Sequence, residues 1–214
     1  MTDFIFLSVA FGERYIEQQT RLHSSLQAIH PEARHLAWTD RYPPYAKPHK
    51  ESLYGFKVHA INEAIRHGYK KIIWLDTACI LQQPVDYWFD LVKDYGVLAA
   101  RDDNKLTNCF ATNKLMWYSL VGIPEYMHLV GGSAYIFDFD LPLCEKIFKN
   151  WEGAERGMAF GSQQEQASGK INGHRHDESC MAMALYLNDS EPVPYDVMKY
   201  NQGEGSIIIK KHFK

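Results

Sequence analysis

Carboxylates gather at the ends of short apolar runs in this chain. Phe4-Ile5-Phe6-Leu7-Ser8-Val9 runs into Ala10-Phe11-Gly12, and His35 to Thr39 runs into Asp40. Ile72-Ile73-Trp74-Leu75 leads to Asp76-Thr77-Ala78, and Val97-Leu98-Ala99-Ala100 to Arg101-Asp102-Asp103. Three of these four ends carry acid. In open α/β sheets ligands sit outside the carboxyl ends of the strands. Carboxylates sharing one such edge repel each other unless a cation or a basic substrate joins them. Mg²⁺ and similar hard cations typically link one or two carboxylates to phosphate oxygens, so the pattern reads as a divalent cation (Mn²⁺ or Mg²⁺) with a phosphate ligand. An Asp at a strand end is also an ordinary turn former or helix cap, and for each single Asp that alternative stands.

Three further segments carry chemistry. Phe11-Gly12-Glu13-Arg14-Tyr15 supplies an aromatic, a permissive glycine and an arginine, which together can stack a base and pair a phosphate; a plain strand-to-helix turn explains the same residues. His174-Arg175-His176-Asp177-Glu178 is dense in ligand types. Its acids suit a helix N-terminus, and they also suit a carboxylate set against a reacting sugar. Ile207-Ile208-Ile209-Lys210-Lys211-His212 places lysines and a histidine just past a buried strand, either as solvated surface or as a clasp over a diphosphate. No G-x-G-x-x-G follows the first strand and no G-x-x-x-x-G-K-[ST] occurs, so neither a dinucleotide fingerprint nor a P-loop is present.

The elements that must position these groups alternate. Leu22, Leu26 and Ile29 recur on one helix face that Pro31 ends; Val58, Ile61 and Ile65 mark a second helix closed by Gly68. Trp88, Phe89 and Val92 mark a third, closed by Gly96. The β-α-β-α-β-α-β order predicts an α/β fold with a mostly parallel central sheet flanked by helices on both faces. In the second half Ser133 to Phe137 reads as a strand after Gly131-Gly132, Leu143, Ile147 and Trp151 as a helix, residues 153 to 175 as a long loop or lid, Asp177 to Leu187 as a helix, and Ser206 to Ile209 as a last strand. No repeat or linker divides residues 1–214, so a single domain is expected.

Composition narrows the function classes. Of 214 residues 46% are hydrophobic and 23% charged, which excludes collagenous and disordered chains. The net charge of -3 lacks the basic excess of proteins that live on nucleic acid, so no nucleic-acid partner is expected. No apolar stretch reaches the ~20 residues that a bilayer span needs. Cys79, Cys109, Cys144 and Cys180 form no C-x-x-C pair, and they read as reduced buried thiols of a cytoplasmic protein.

Ile72-Ile73-Trp74-Leu75-Asp76-Thr77-Ala78 resembles the strand-plus-DxD element of GT-A glycosyltransferases. Tyr54-Gly55-Phe56-Lys57-Val58, the Gly131-Gly132 strand, His176-Asp177-Glu178-Ser179 and His212 follow in the same order. The resemblance implies a single GT-A-like, Rossmann-like domain that moves a hexose or deoxyhexose of glucose or rhamnose type from a UDP-sugar to a glycan hydroxyl, metal-assisted and with retention. A virus-encoded member resembles it most, which implies host cytoplasm and further domains in a longer chain. By the same resemblance Val9, Ala10 and Phe11 line the uridine pocket with Arg14 and Tyr15 near it. Lys57 approaches the nucleotide or its phosphates, Asp76, Thr77 and Ala78 flank ribose and metal, and Gly132 lets backbone approach the donor sugar. Asp177 or Glu178 faces the sugar ring or the acceptor hydroxyl, Asp76 and His212 hold the metal, and Lys211 with His212 steadies the departing UDP. One departure is plain: Ala78 stands where the second acid of DxD belongs. A nucleotidyltransferase making NDP-sugars, and a sugar- or nucleotide-binding module without catalysis, are the alternative expectations.

Overall fold

A strand buried on both faces needs apolar residues at successive positions, and Phe4–Ala10 is buried at every one; it forms β1. In the computed structural model, which describes residues 3–111, 114, 126–200 and 205–211, the chain continues through α1 (Glu13–Ile29), β2 (Arg34–Thr39), α2 (Phe56–Arg66), β3 (Lys71–Leu75), β4 (Cys79–Leu81), α3 (Asp86–Tyr95) and β5 (Val97–Lys105). After α4 (Leu106–Cys109) come β6 (His128–Asp138), α5 (Pro142–Arg156), α6 (Gln163–Ala167), α7 (Asp177–Tyr186), α8 (Tyr195–Met198) and β7 (Ile208–Lys210).

The main sheet has the order β2-β1-β3-β6-β5. β1 pairs in parallel with β2 and β3, whereas β6 runs antiparallel to both β3 and β5. The expected α/β fold with a mostly parallel sheet is therefore present, with β6 as its one reversed strand. Side chains of β1 alternate between two cores. Ile5, Leu7 and Val9 face Val58 and Ile61 of α2, Trp151 of α5 and Cys180 of α7. Phe4 and Phe6 face Leu22 and Leu26 of α1 and Trp88 and Val92 of α3.

One expectation is corrected and one pairing is added. The expected last strand is present as β7, which pairs antiparallel with β4 in a separate ribbon. β4 itself is too short to show in the pattern. Residues 153 to 175 are not one loop: they hold the end of α5 and all of α6, whose Ser162 and Glu165 form a reciprocal capping box. All four cysteines are buried, and none of them forms a disulfide. Among the described residues no helix is long and apolar enough to cross a membrane.

The reversal of β6 positions the site. Its N-terminal half lies beside the C-terminal end of β3, with Leu75 opposite Ala134 and the Asp76 N–H donating to Ser133 O at 2.8 Å. Trp151 Nε1 donates to Asp177 O at 3.0 Å, which holds the first turn of α7 against the same end of the sheet.

Candidate active site

Lys57 is the centre of the site. It sits on the first turn of α2 and is buried to 2% exposure because the face that carries it also carries Val58, Ala60 and Ile61. A buried ammonium needs partners on its protons. Nζ donates to Gly132 O at 2.7 Å and to Asp177 Oδ2 at 2.8 Å, and Asp76 Oδ1 is 3.5 Å away. The rings of Tyr54, Trp74 and Tyr135 have their centroids 5.3–5.5 Å from the ammonium.

Three carboxylates gather around this lysine, and two of them, Asp177 and Asp76, reach its ammonium. Asp177, 2% exposed, also accepts from the Tyr135 hydroxyl at 3.3 Å. Glu178 Oε1 accepts from the Gly132 N–H at 3.0 Å, and its Oε2 from Arg175 Nε at 3.0 Å. Asp76 Oδ1 accepts from Trp74 Nε1 at 3.0 Å, and a third of this side chain is exposed. Burial alone would lower the Lys57 pKa, but Asp177 and Asp76 reverse it and the net direction is up. Burial raises the Asp177 carboxyl above its ordinary range despite the pull of Lys57. Glu178 is raised by burial and then by the charge of Asp177. The acids of the site thus work against one another's ionisation, with Lys57 and Arg175 as the cations that pair with them.

Gly132 has a steric reason to be glycine. A Cβ there would lie 2.9 Å from Glu178 Cγ and 3.0 Å from Asp177 Oδ2. The open face expected to admit a donor sugar is filled by these two acids. Lys57, expected at the phosphates, is likewise enclosed: its two hydrogen bonds go to the Asp177 carboxylate and the Gly132 carbonyl.

The other expected residues line the edge of β1 and the turn after β3. Val9 and Ala10 are buried within β1, and Phe11 is half-buried with its ring centroid 4.3 Å from that of Tyr42. Arg14 and Tyr15 are exposed on the first turn of α1. Asp40, one of the strand-end acids, accepts from the Gly12 N–H at 2.8 Å and so closes the β1–α1 turn. Thr77 is buried and donates to Gln18 Oε1 at 3.2 Å, while Gln18 Nε2 has no hydrogen-bond partner among the described residues. Ala78 O accepts from the Lys211 N–H at 2.9 Å and from Arg21 at 3.3 Å, so β7 returns the chain to the Asp76 turn. His212 lies outside the described residues.

Among the described residues no three metal-ligating side chains form a group. Asp76 fits a hard divalent cation as a single carboxylate anchor, since its Oδ1 is engaged by Trp74 and Lys57 and its side chain remains partly exposed. Diphosphate oxygens and waters would have to complete the shell. Tyr54, His49 and His176 also border the lysine cluster; His176 stood in the ligand-dense segment and Tyr54 close to Lys57 in the chain, whereas His49 carried no signal as a site residue.

No protein-family model and no curated protein sequence matches the chain. Among solved structures, mouse xyloside xylosyltransferase 1 in its apo form aligns with 99% of this chain and 97% of its own, at 10% identity and a TM-score of 0.50. The fold is GT-A-like. A glycosyltransferase involved in the glycosylation of the major capsid of PBCV-1 also aligns, with 80% of this chain and 78% of its own, at 14% identity and a TM-score of 0.46. In the GT-A-like sheet seen here, the carboxyl ends of β1 and β3, the Gly132 end of β6 and the start of α7 meet at one edge.

Proposed function

We propose that the chain is a glycosyltransferase that moves a hexose or deoxyhexose from a UDP-sugar to a glycan hydroxyl, with retention. The observation that carries this is the set of three carboxylates, Asp76, Asp177 and Glu178, assembled around buried Lys57 at the ligand-binding edge of a GT-A-like sheet. The xylosyltransferase of the same fold is by its name a sugar transferase, which supports the class but not the donor.

Each residue has a task in this scheme. The turn after β1, with Phe11, Arg14 and Tyr15, receives the nucleotide. Asp76 would hold Mn²⁺ or Mg²⁺ together with the donor's diphosphate, and His212, directly after Lys211, is proposed as a second ligand. A cation so held would neutralise charge on departing UDP. The anomeric carbon gains oxocarbenium character as the bond to UDP breaks, and negative charge from Glu178 and Asp177 stabilises it. Glu178 is the more accessible of the two, with 18% of its side chain exposed against 3% for Asp177. Asp177 therefore acts as the fixed charge and Glu178 as the group nearest the sugar. Lys57 holds Asp177, and the Gly132 N–H with Arg175 holds Glu178, without Lys57 touching substrate.

A non-catalytic binding module is the second reading, favoured by Ala78 in place of a second acid. One assay separates the two. UDP-glucose, UDP-xylose, UDP-galactose and UDP-rhamnose are each incubated with Mn²⁺ and the protein, and UDP release is measured. Release from at least one donor, reduced about 10²-fold or more by Asp76→Asn, is the expected result. Absence of release from every donor, with UDP still bound, would favour the module.

A further inference from the structure

Two aromatic side chains beside Lys57 stand on backbone that disfavours any side chain. His176 has φ 51 and ψ -115, and the Glu178 N–H donates to Arg175 O at 3.0 Å. These are the features of the first central position of a type II′ turn, where glycine is the usual residue. Tyr54 has φ 63, with its N–H donating to His49 Nδ1 at 3.2 Å. A non-glycine residue at such dihedrals stores strain, and strain of this kind clusters at ligand-binding sites. The two strained residues touch: their rings lie 29° from parallel with centroids 5.9 Å apart.

The rings are held rather than loosely packed. His176 Nδ1 pairs with Phe160 O at 2.9 Å, and the His49 ring meets Tyr54 edge-on at 4.7 Å. No hydrogen bond from a described residue engages the other His176 nitrogen, Nε2. Tyr54 is nevertheless 39% exposed, one of the few large aromatics at the surface. Core packing does not explain an exposed tyrosine on a strained backbone.

The geometry points to Tyr54, backed by the buried His176 ring stacked behind it, as the stacking surface for a pyranose ring, the acceptor sugar. Polarised C–H bonds of a pyranose fit the negative face of an aromatic ring. The Tyr54 hydroxyl, His176 Nε2 and the Glu178 carboxylate offer hydrogen bonds to its hydroxyls. Asp177 and Glu178 disfavour an anion beside them, so a neutral polyol suits this side of Lys57 better than a phosphate. The pair is also bounded by Phe160 and His49, and it adjoins the β1 turn proposed for the nucleotide through Phe56, whose ring centroid is 6.1 Å from that of Tyr54 and 6.4 Å from that of Phe11. The ligand's role as acceptor rests on the glycosyl-transfer proposal; the stacking of a sugar does not.

Saturation-transfer NMR tests this without donor or turnover. The probes are the methyl glycosides of glucose, galactose, xylose and rhamnose, with UDP as a separate ligand. Wild-type protein is expected to saturate the ring C–H protons of at least one glycoside. Tyr54→Ala should weaken that glycoside about 10-fold, Tyr54→Phe should restore most of it, and UDP transfer should persist in both. His176→Gly relieves the backbone, so it is expected to fold and melt no lower than His176→Ala while losing glycoside transfer. No transfer from any glycoside to wild type, or equal transfer to Tyr54→Ala and His176→Gly, overturns the assignment. Loss of UDP release in the donor assay would refute the transferase reading and leave this result standing.

Discussion

Lys57 Nζ lies 2.8 Å from Asp177 Oδ2, with 3% of each side chain exposed and 120 positions of chain between them. This buried pair ties the start of α2 to the start of α7 across the reversed strand β6. Gly132 supplies the joint from the strand side, its carbonyl to Lys57 and its N–H to Glu178.

Breaking that pair from one side leaves a buried charge without its partner. Lys57→Met and Asp177→Leu should each cost about 3–5 kcal/mol in urea unfolding. The double variant should cost less than the sum by at least about 1 kcal/mol, since the two groups share one interaction. Strict additivity in this cycle would show that the pair is not coupled.

The neighbouring glycines of β6 make a matched comparison. A Cβ on Gly131 would come no closer than 3.7 Å to its nearest neighbour, which is ordinary contact, whereas one on Gly132 meets both acids at 2.9–3.0 Å. Gly132→Ala should therefore lose about 1–3 kcal/mol of stability, and Gly131→Ala much less. Equal melting temperatures for the two variants would mean that the acids move aside freely.

Asp40 is expected to act as a structural cap. Its carboxylate accepts the Gly12 N–H at 2.8 Å, where φ of Gly12 is 78 and the helix α1 begins. Asp40→Ala should lose about 1 kcal/mol, and Asp40→Asn, which keeps an acceptor oxygen, clearly less. Chemical denaturation of the two side by side decides it; identical losses would remove the hydrogen bond from the explanation.

Acid should destabilise the fold through histidines held neutral. Burial, followed by the charge of a neighbouring histidine, lowers His35 and His174 to about 4. His174 shows why: Nε2 pairs with Ala159 O at 2.9 Å while Nδ1 accepts the Ala111 N–H at 3.4 Å, so a second ring proton would face a donor. In the unfolded chain these histidines protonate near 6.5. Their stabilisation is thus complete above that pH and is lost as pH falls from about 6.5 toward 4. Between pH 7 and pH 5 the loss should be about 1–2 kcal/mol for each, read from urea midpoints at the two pH values. A His174→Gln variant should show a shallower fall, and an unchanged slope would exclude this histidine as a source.

Much of the scaffold was legible because strands buried on both faces must be apolar throughout. β1, β3 and the first half of β5 announce themselves in that way, and the helical stripes between them fix the α/β class. The acids Asp76, Asp177 and Glu178, with Lys57 and Gly132, were also visible as candidate residues. β4 and β7 were not legible as partners, since a three-residue strand has no period to read and its mate lies far along the chain. Tyr54 and His176 stood in segments marked for chemistry, but their stacking and their strained backbone were not legible, because a positive φ leaves no mark on residue type unless glycine occupies it.

Residue types and their local periods by themselves determined the layered α/β architecture and which side chains were chemically capable. Tertiary structure alone decided that Lys57 is enclosed by carboxylates rather than open to phosphates, and that Gly132 makes room for two acids. The reason is that ion pairing and close packing depend on distances between elements, and the direction of β6 sets those distances while no local sequence period encodes it.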